Sequence, residues 1–179
     1  MENQESGKKQ IYKSHRIRNG LFFLLSAALV LAIALVLTHP VYRIYGTAML
    51  PGLSDGDIVI AVKDDQPKQG DVVALSYNNK VLIRRVIAVS GDEVDIDRSG
   101  NVFVNGGLLQ ESYLSGKSYE SCDIQLPCKV EDKHFFVMGD NRSLALDSRQ
   151  TEIGCPAAEN VLGKAAFRIW PLHRIGRVN

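Results

Sequence analysis

Val72-Val73-Ala74-Leu75-Ser76-Tyr77-Asn78-Asn79-Lys80-Val81-Leu82-Ile83-Arg84-Arg85-Val86-Ile87-Ala88-Val89 is the stretch that decides the fold class. Two apolar, β-branched runs flank an Asn-Asn pair, and asparagine tolerates the left-handed backbone that a tight hairpin turn requires. Outward from this hairpin, short apolar runs keep alternating with turn residues. Upstream, Ile58 to Val62 lies between Asp57 and Lys63-Asp64-Asp65, and Gly70-Asp71 opens the hairpin. Downstream, Gly91-Asp92 precedes Val94-Asp95-Ile96-Asp97, which alternates with period two. Ser99-Gly100-Asn101 turns into Val102-Phe103-Val104, and Asn105-Gly106-Gly107 marks the next reversal. His134 to Met138 stops at Gly139-Asp140, and Val161 to Ile169 closes the set. Helix signals are sparse, the best being one turn near Ala157 to Asn160. The pattern predicts an antiparallel, all-β domain.

Ahead of that domain, Leu21 to Leu37 carries no charge, and Ser26 is its one polar side chain. As a helix this run rises roughly 26 Å, near the lower limit for a hydrocarbon core of ~30 Å. Gly20 and Thr38 extend it. Before it lie Lys8, Lys9, Lys13, Arg16 and Arg18 against Glu2 and Glu5, an excess of positive charge. After it come Tyr42 and Tyr45, rings suited to a membrane interface. The positive-inside rule then keeps residues 1–20 as a cytoplasmic basic tail, makes 21–38 a single transmembrane helix, and places 39–179 outside the cell membrane. A cleaved secretory signal is the competing reading, weakened by the length of the run and by the poor cleavage site at Thr38-His39-Pro40-Val41. A buried core helix fits badly, since no face of the segment is polar.

Composition narrows the function classes. A formal net charge of +1 gives no reason to expect nucleic acid, and 45% apolar residues exclude a disordered chain. Three cysteines are present. Cys122 and Cys128 enclose a very short loop, and a disulfide between them would be worth roughly 2–3 kcal/mol in an oxidising compartment. Three unlinked thiols are the alternative. Their spacing fits no metal site, His134 is the only histidine near them, and no cofactor is expected.

Three segments, in order, carry a resemblance. The first is Gly46-Thr47-Ala48-Met49-Leu50-Pro51-Gly52-Leu53 with Asp55-Gly56-Asp57; the second is Leu82 to Val89 followed by Ser90-Gly91-Asp92. The third is Gly139-Asp140-Asn141-Arg142-Ser143-Leu144-Ala145-Leu146-Asp147-Ser148-Arg149. Together with Val102-Phe103-Val104-Asn105-Gly106, Gly163-Lys164-Ala165 and Trp170-Pro171, this order resembles the type I signal peptidases, membrane-bound serine proteases that use a Ser–Lys pair. The resemblance implies their coiled antiparallel sheet, set against the outer leaflet.

The departures decide the chemistry. By resemblance the nucleophilic serine falls on Ala48, the general-base lysine on Arg84, and the serine that orients the lysine on Ala145. A methyl group cannot attack a carbonyl. Burial can bring a lysine amine near neutrality, but guanidinium stays protonated and has no acceptor. A deliberate serine-to-alanine change would account for Ala48, though not for Arg84 and Ala145 with it. A relocated dyad has few candidates: Thr47 points away from the face of Ala48, and Lys80 lies about 13 Å along the strand from Arg84. Ser54, Ser90 and Ser148 read as turn serines.

What remains is a scaffold. Asp140, Arg142, Asp147 and Arg149 read as an ion-pair and turn network. Met49, Leu50, Pro51, Leu82 and Ile83 border a groove able to pair an extended peptide. Arg84 in that groove would pair with Asp147 or with a partner's carboxylate. The leading expectation is therefore a non-catalytic, membrane-tethered accessory protein. Dyad-less relatives found beside pilin and sortase genes in Gram-positive bacteria extend the resemblance to pilin or sortase as partner. The rival is an active signal peptidase.

Overall fold

The computed structural model describes residues 18–31, 33–34, 38–64, 66–120 and 122–178. They form two compact units, Met1–His39 and Pro40–Asn179. In the first, residues 18–31 are helical with their apolar side chains exposed, Phe22 at 69% and Phe23 at 70%. No helix among the described residues is long and apolar enough to cross a membrane. The transmembrane helix expected over 21–38 is thus not seen as one continuous span, and residues 32 and 35–37 lie outside the described residues.

The second unit is antiparallel β apart from two single 3-10 turns, Ala158–Asn160, where the sequence predicts a turn of helix, and Leu172–Arg174. Its strands are β1 (Val41–Arg43), β2 (Ile58–Val62), β3 (Val72–Tyr77), β4 (Lys80–Val89), β5 (Glu93–Ile96), β6 (Val102–Val104), β7 (Gly107–Leu108), β8 (Cys128–Lys129), β9 (Phe135–Met138), β10 (Val161–Trp170) and β11 (Gly176–Arg177). The larger sheet runs β1-β2-β10-β3-β4-β9, with β11 on β10; the smaller runs β7-β6-β5-β8. Asn78 and Asn79 take positive φ of 45° and 59° and close the β3–β4 hairpin, pairing Tyr77 with Lys80. Asn105 and Gly106 do the same between β6 and β7.

Side-chain alternation sorts the core. Val72, Ala74 and Ile83 pack with Ile44, Met49 and Val59 against one face of the larger sheet. Val73, Leu75 and Val86 pack with Phe135 and Val137 against the other. A register shift between Val86 and Ala88 breaks the alternation of β4. Beyond it Ile87 and Ala88 join Val94, Ile96, Val102 and Phe136 in a third cluster that ties the sheets together. Each expected strand is present. β1, β7, β8 and β11, of two or three residues, have no counterpart in the sequence reading.

The cysteines require a correction. All three are free thiols, and the expected Cys122–Cys128 staple is not formed. Cys128 and Cys155 instead both pack on the third cluster. Pairing of Cys128 with Val94 fixes β8 on β5, so its side chain faces that core rather than Cys122.

Candidate functional site

Segment 139–149 assembles the site by gripping the loop after β1. The Asn141 amide donates to the Ala48 carbonyl at 2.9 Å, and Asn141 Nδ2 donates to the Thr47 carbonyl at 3.2 Å. The grip is close enough that a Cβ on Gly139 would fall 2.3 Å from Ala145 Cβ and 2.7 Å from the Ala48 oxygen. Arg84, on β4, reaches the same place: its Nε donates to the Leu146 carbonyl at 2.7 Å. Ala48, Arg84 and Ala145, far apart in sequence, are therefore brought together.

A network of buried charges holds this arrangement. Asp147 accepts the Gly139 amide at 2.9 Å and the Arg149 guanidinium at 2.9 and 3.0 Å. Arg149 Nη2 donates onward to the Arg142 carbonyl at 2.7 Å. Arg142 Nε donates to the Gly139 carbonyl at 3.0 Å, and its other end pairs with Glu111. Asp140 accepts both Nε and Nη2 of Arg85, at 2.8 and 2.7 Å, and that guanidinium lies 4.0 Å over the Tyr113 ring. Arg85, Glu111 and Tyr113 have no place in the sequence reading of the site. Their signal is weak: an arginine inside an apolar strand calls for a buried carboxylate, but nothing in the sequence says which one.

Asp147 is wholly engaged by Arg149 and the Gly139 amide, so the expected Arg84–Asp147 contact is not made. Arg84 is only 6% exposed. Burial pushes its guanidinium below the ordinary value of 12.5, the nearby Asp147 charge opposes that, and Arg149 adds to it. It remains a cation, with Nη1 donating to the Ile83 carbonyl at 2.6 Å.

Beside Arg84 lies a pocket of about 80 Å³ lined by Arg43, Ile44, Tyr45, Ala48, Met49, Val81, Leu82, Ile83 and Arg84. Of the residues expected to border a groove, Met49, Leu82 and Ile83 line this pocket, and Met49 and Ile83 are mostly core. Leu50 and Pro51 do not line it; the Pro51 carbonyl turns toward Arg174. The lining contains no serine, threonine, lysine or histidine. Thr47 is exposed and outside it, and Lys80 is exposed at the hairpin turn. With a methyl at 48 and a guanidinium at 84, a Ser–Lys pair has no counterpart at these positions, and the one hydroxyl in the lining is the Tyr45 phenol. The pocket can still present a charge and a strand edge.

That edge comes from strand lengths. β9 pairs β4 only from Arg85 to Val89, so among the described residues no strand covers the same side of Lys80–Arg84.

Residues 16–170 match the family described as signal peptidase, peptidase S26. A signal peptidase I of Bacillus licheniformis is 31% identical over 185 aligned positions, covering 93% of this chain and 98% of its own. A probable signal peptidase I-2 of Synechocystis is 36% identical, covering 73% of this chain and 62% of its own. A crystal structure of a signal peptidase I from Enterococcus faecalis V583 is 24% identical and covers 55% of this chain and 96% of its own, with a TM-score of 0.45.

Proposed function

Because the chain belongs to the signal peptidase family, peptidase S26, we propose that it is a non-catalytic member that binds an extended peptide without cutting it. One observation carries this reading: the residues lining the pocket at Ala48 and Arg84 include no serine, threonine, lysine or histidine, so neither an aliphatic hydroxyl nor an amine or imidazole base stands there. The free side of β4 at Lys80–Arg84 would receive the peptide backbone as an added strand.

The test is direct. The full chain, purified in detergent, is incubated with a secretory precursor, and the products are resolved by mass spectrometry. No cleavage over an empty-micelle control is the expected result; turnover that disappears on changing Thr47 or another hydroxyl residue would sink the proposal. The names of the relatives favour a second reading, an active signal peptidase, and the same experiment decides between them.

The uncharged run 21–37 behind a basic tail supports a single-pass anchor with the β unit outside the cell membrane. The proposal that the bound partner is a pilin subunit or a sortase rests on family resemblance alone. Crosslinking in cells that captures neither would remove it.

A further inference from the structure

Buried charges are ordinarily paired, because removing an ion from water costs far more than a folded chain can absorb without compensation. Arg84 breaks that rule. Its hydrogen bonds go to two backbone carbonyls, of Leu146 and Ile83, and among the described residues it forms no ion pair. Asp147, the acid nearest in charge, is held by Arg149. Arg84 Nη2 has no acceptor among the described residues, yet no buried side-chain nitrogen or oxygen there lacks a partner, so this nitrogen keeps some exposure on a residue that lines the pocket. Arg43 lines the same pocket, stacked 5.6 Å over Tyr45 and likewise without an ion pair among the described residues. The remaining walls are apolar: Ile44, Ala48, Met49 and Leu82.

We propose that this pocket is a carboxylate receptor for the peptide laid along β4, with Arg84 as the buried binding group and Arg43 at its side. The proposal rests on reading the cleft as a peptide groove that does not cut. Size is compatible with this ligand: about 80 Å³ accommodates one carboxylate with its methylene. Charge selects it, since two cations and no free acid line the space. A guanidinium fork matches a carboxylate by parallel N–H donors. The carboxylate comes from an acidic side chain or from a peptide's C-terminus. The loss of the lysine then exchanges a base for a fixed anion site at the same position.

The full chain in micelles is titrated with sodium acetate while the Arg84 Nε–Hε resonance is followed by NMR, with sodium chloride as the control. A saturable shift with acetate alone is expected; identical responses to acetate and chloride would overturn the proposal. Fluorescent decapeptides carrying one central Asp, its Asn counterpart, or Ala with either a free or an amidated C-terminus then identify the source. The carboxylate form is expected to bind about tenfold to hundredfold tighter than its neutral match. Arg84→Gln is expected to erase that difference. Equal affinities in the wild type, or discrimination that survives Arg84→Gln, would refute the receptor. Cleavage of the peptides would instead overturn the non-catalytic reading and leave the acetate result standing.

Discussion

A hydroxyl restored at position 48 would face a cation. Ala48→Ser supplies a nucleophile, but the neighbouring guanidinium keeps its proton at any usable pH. Precursor cleavage by that variant is expected to stay at the wild-type background. Adding Arg84→Lys and Ala145→Ser places an amine in the same buried spot, where desolvation lowers its pKa, with an oxygen to orient it. A positioned base contributes about 10²–10⁴-fold. The triple variant should therefore exceed Ala48→Ser by at least about 10²-fold, its rate rising with pH as the amine loses its proton. Activity in the single variant would put the base elsewhere. At this scale the motif order makes positions 48, 84 and 145 readable, because each sits at a fixed offset from a Gly-Asp turn. The support beneath them is not readable. Alternation puts Arg84 and Arg85 on opposite faces of one strand, but the carboxylate that Arg85 needs lies 55 residues away. Asp140→Asn removes the carboxylate that takes both Nε and Nη2 of Arg85, which is buried at 3% exposure, and is expected to cost about 3–5 kcal/mol, measured as a lower urea midpoint. Arg85→Met combined with Asp140→Leu should cost less than Asp140→Asn alone.

Elements were readable in proportion to their length and their turn chemistry. The β3–β4 hairpin follows from Asn78-Asn79, whereas the two-residue β7, β8 and β11 exist only because neighbours hold them. The cysteine error has the same origin. Sequence spacing favours the six-residue neighbour, but β8 is oriented by its pairing with β5, which turns Cys128 toward Cys155. Burial, and then Cys128, push the Cys155 thiol up to about 12. Because that value lies above the ordinary 9.0, the protonated thiol's contribution to stability is intact below pH 9 and is lost as pH climbs toward 12. At pH 8, iodoacetamide should modify Cys122 faster than Cys155, as read by peptide mapping. Glutathione disulfide should link Cys128 to Cys155; a Cys122–Cys128 product would mean that the loop rearranges before it oxidises.

The molecule as a whole carries one tryptophan, and it is placed to report on the surroundings of the β unit. Between Phe167 and Ile175 the chain leaves Trp170 50%, Leu172 69% and Ile175 50% exposed. Such a run of large apolar side chains is costly against water and favourable against lipid, at roughly 25 cal/mol for each Å² withdrawn from solvent. An indole also suits the zone where headgroups meet acyl chains, with its ring in the apolar layer and its N–H among polar groups. If the proposed anchor holds the β unit at a bilayer, this surface is the one that gains by meeting it. In full-length protein reconstituted into vesicles, Trp170 emission is expected to move to shorter wavelength than in urea-unfolded protein. It should also be quenched by lipids brominated high on the acyl chain more than by lipids brominated near the bilayer centre. Leu172→Asp should reduce the quenching without changing the unfolding midpoint, since Leu172 is outside every core cluster. Emission that ignores brominated lipid at any depth would mean that these side chains meet a protein partner or water.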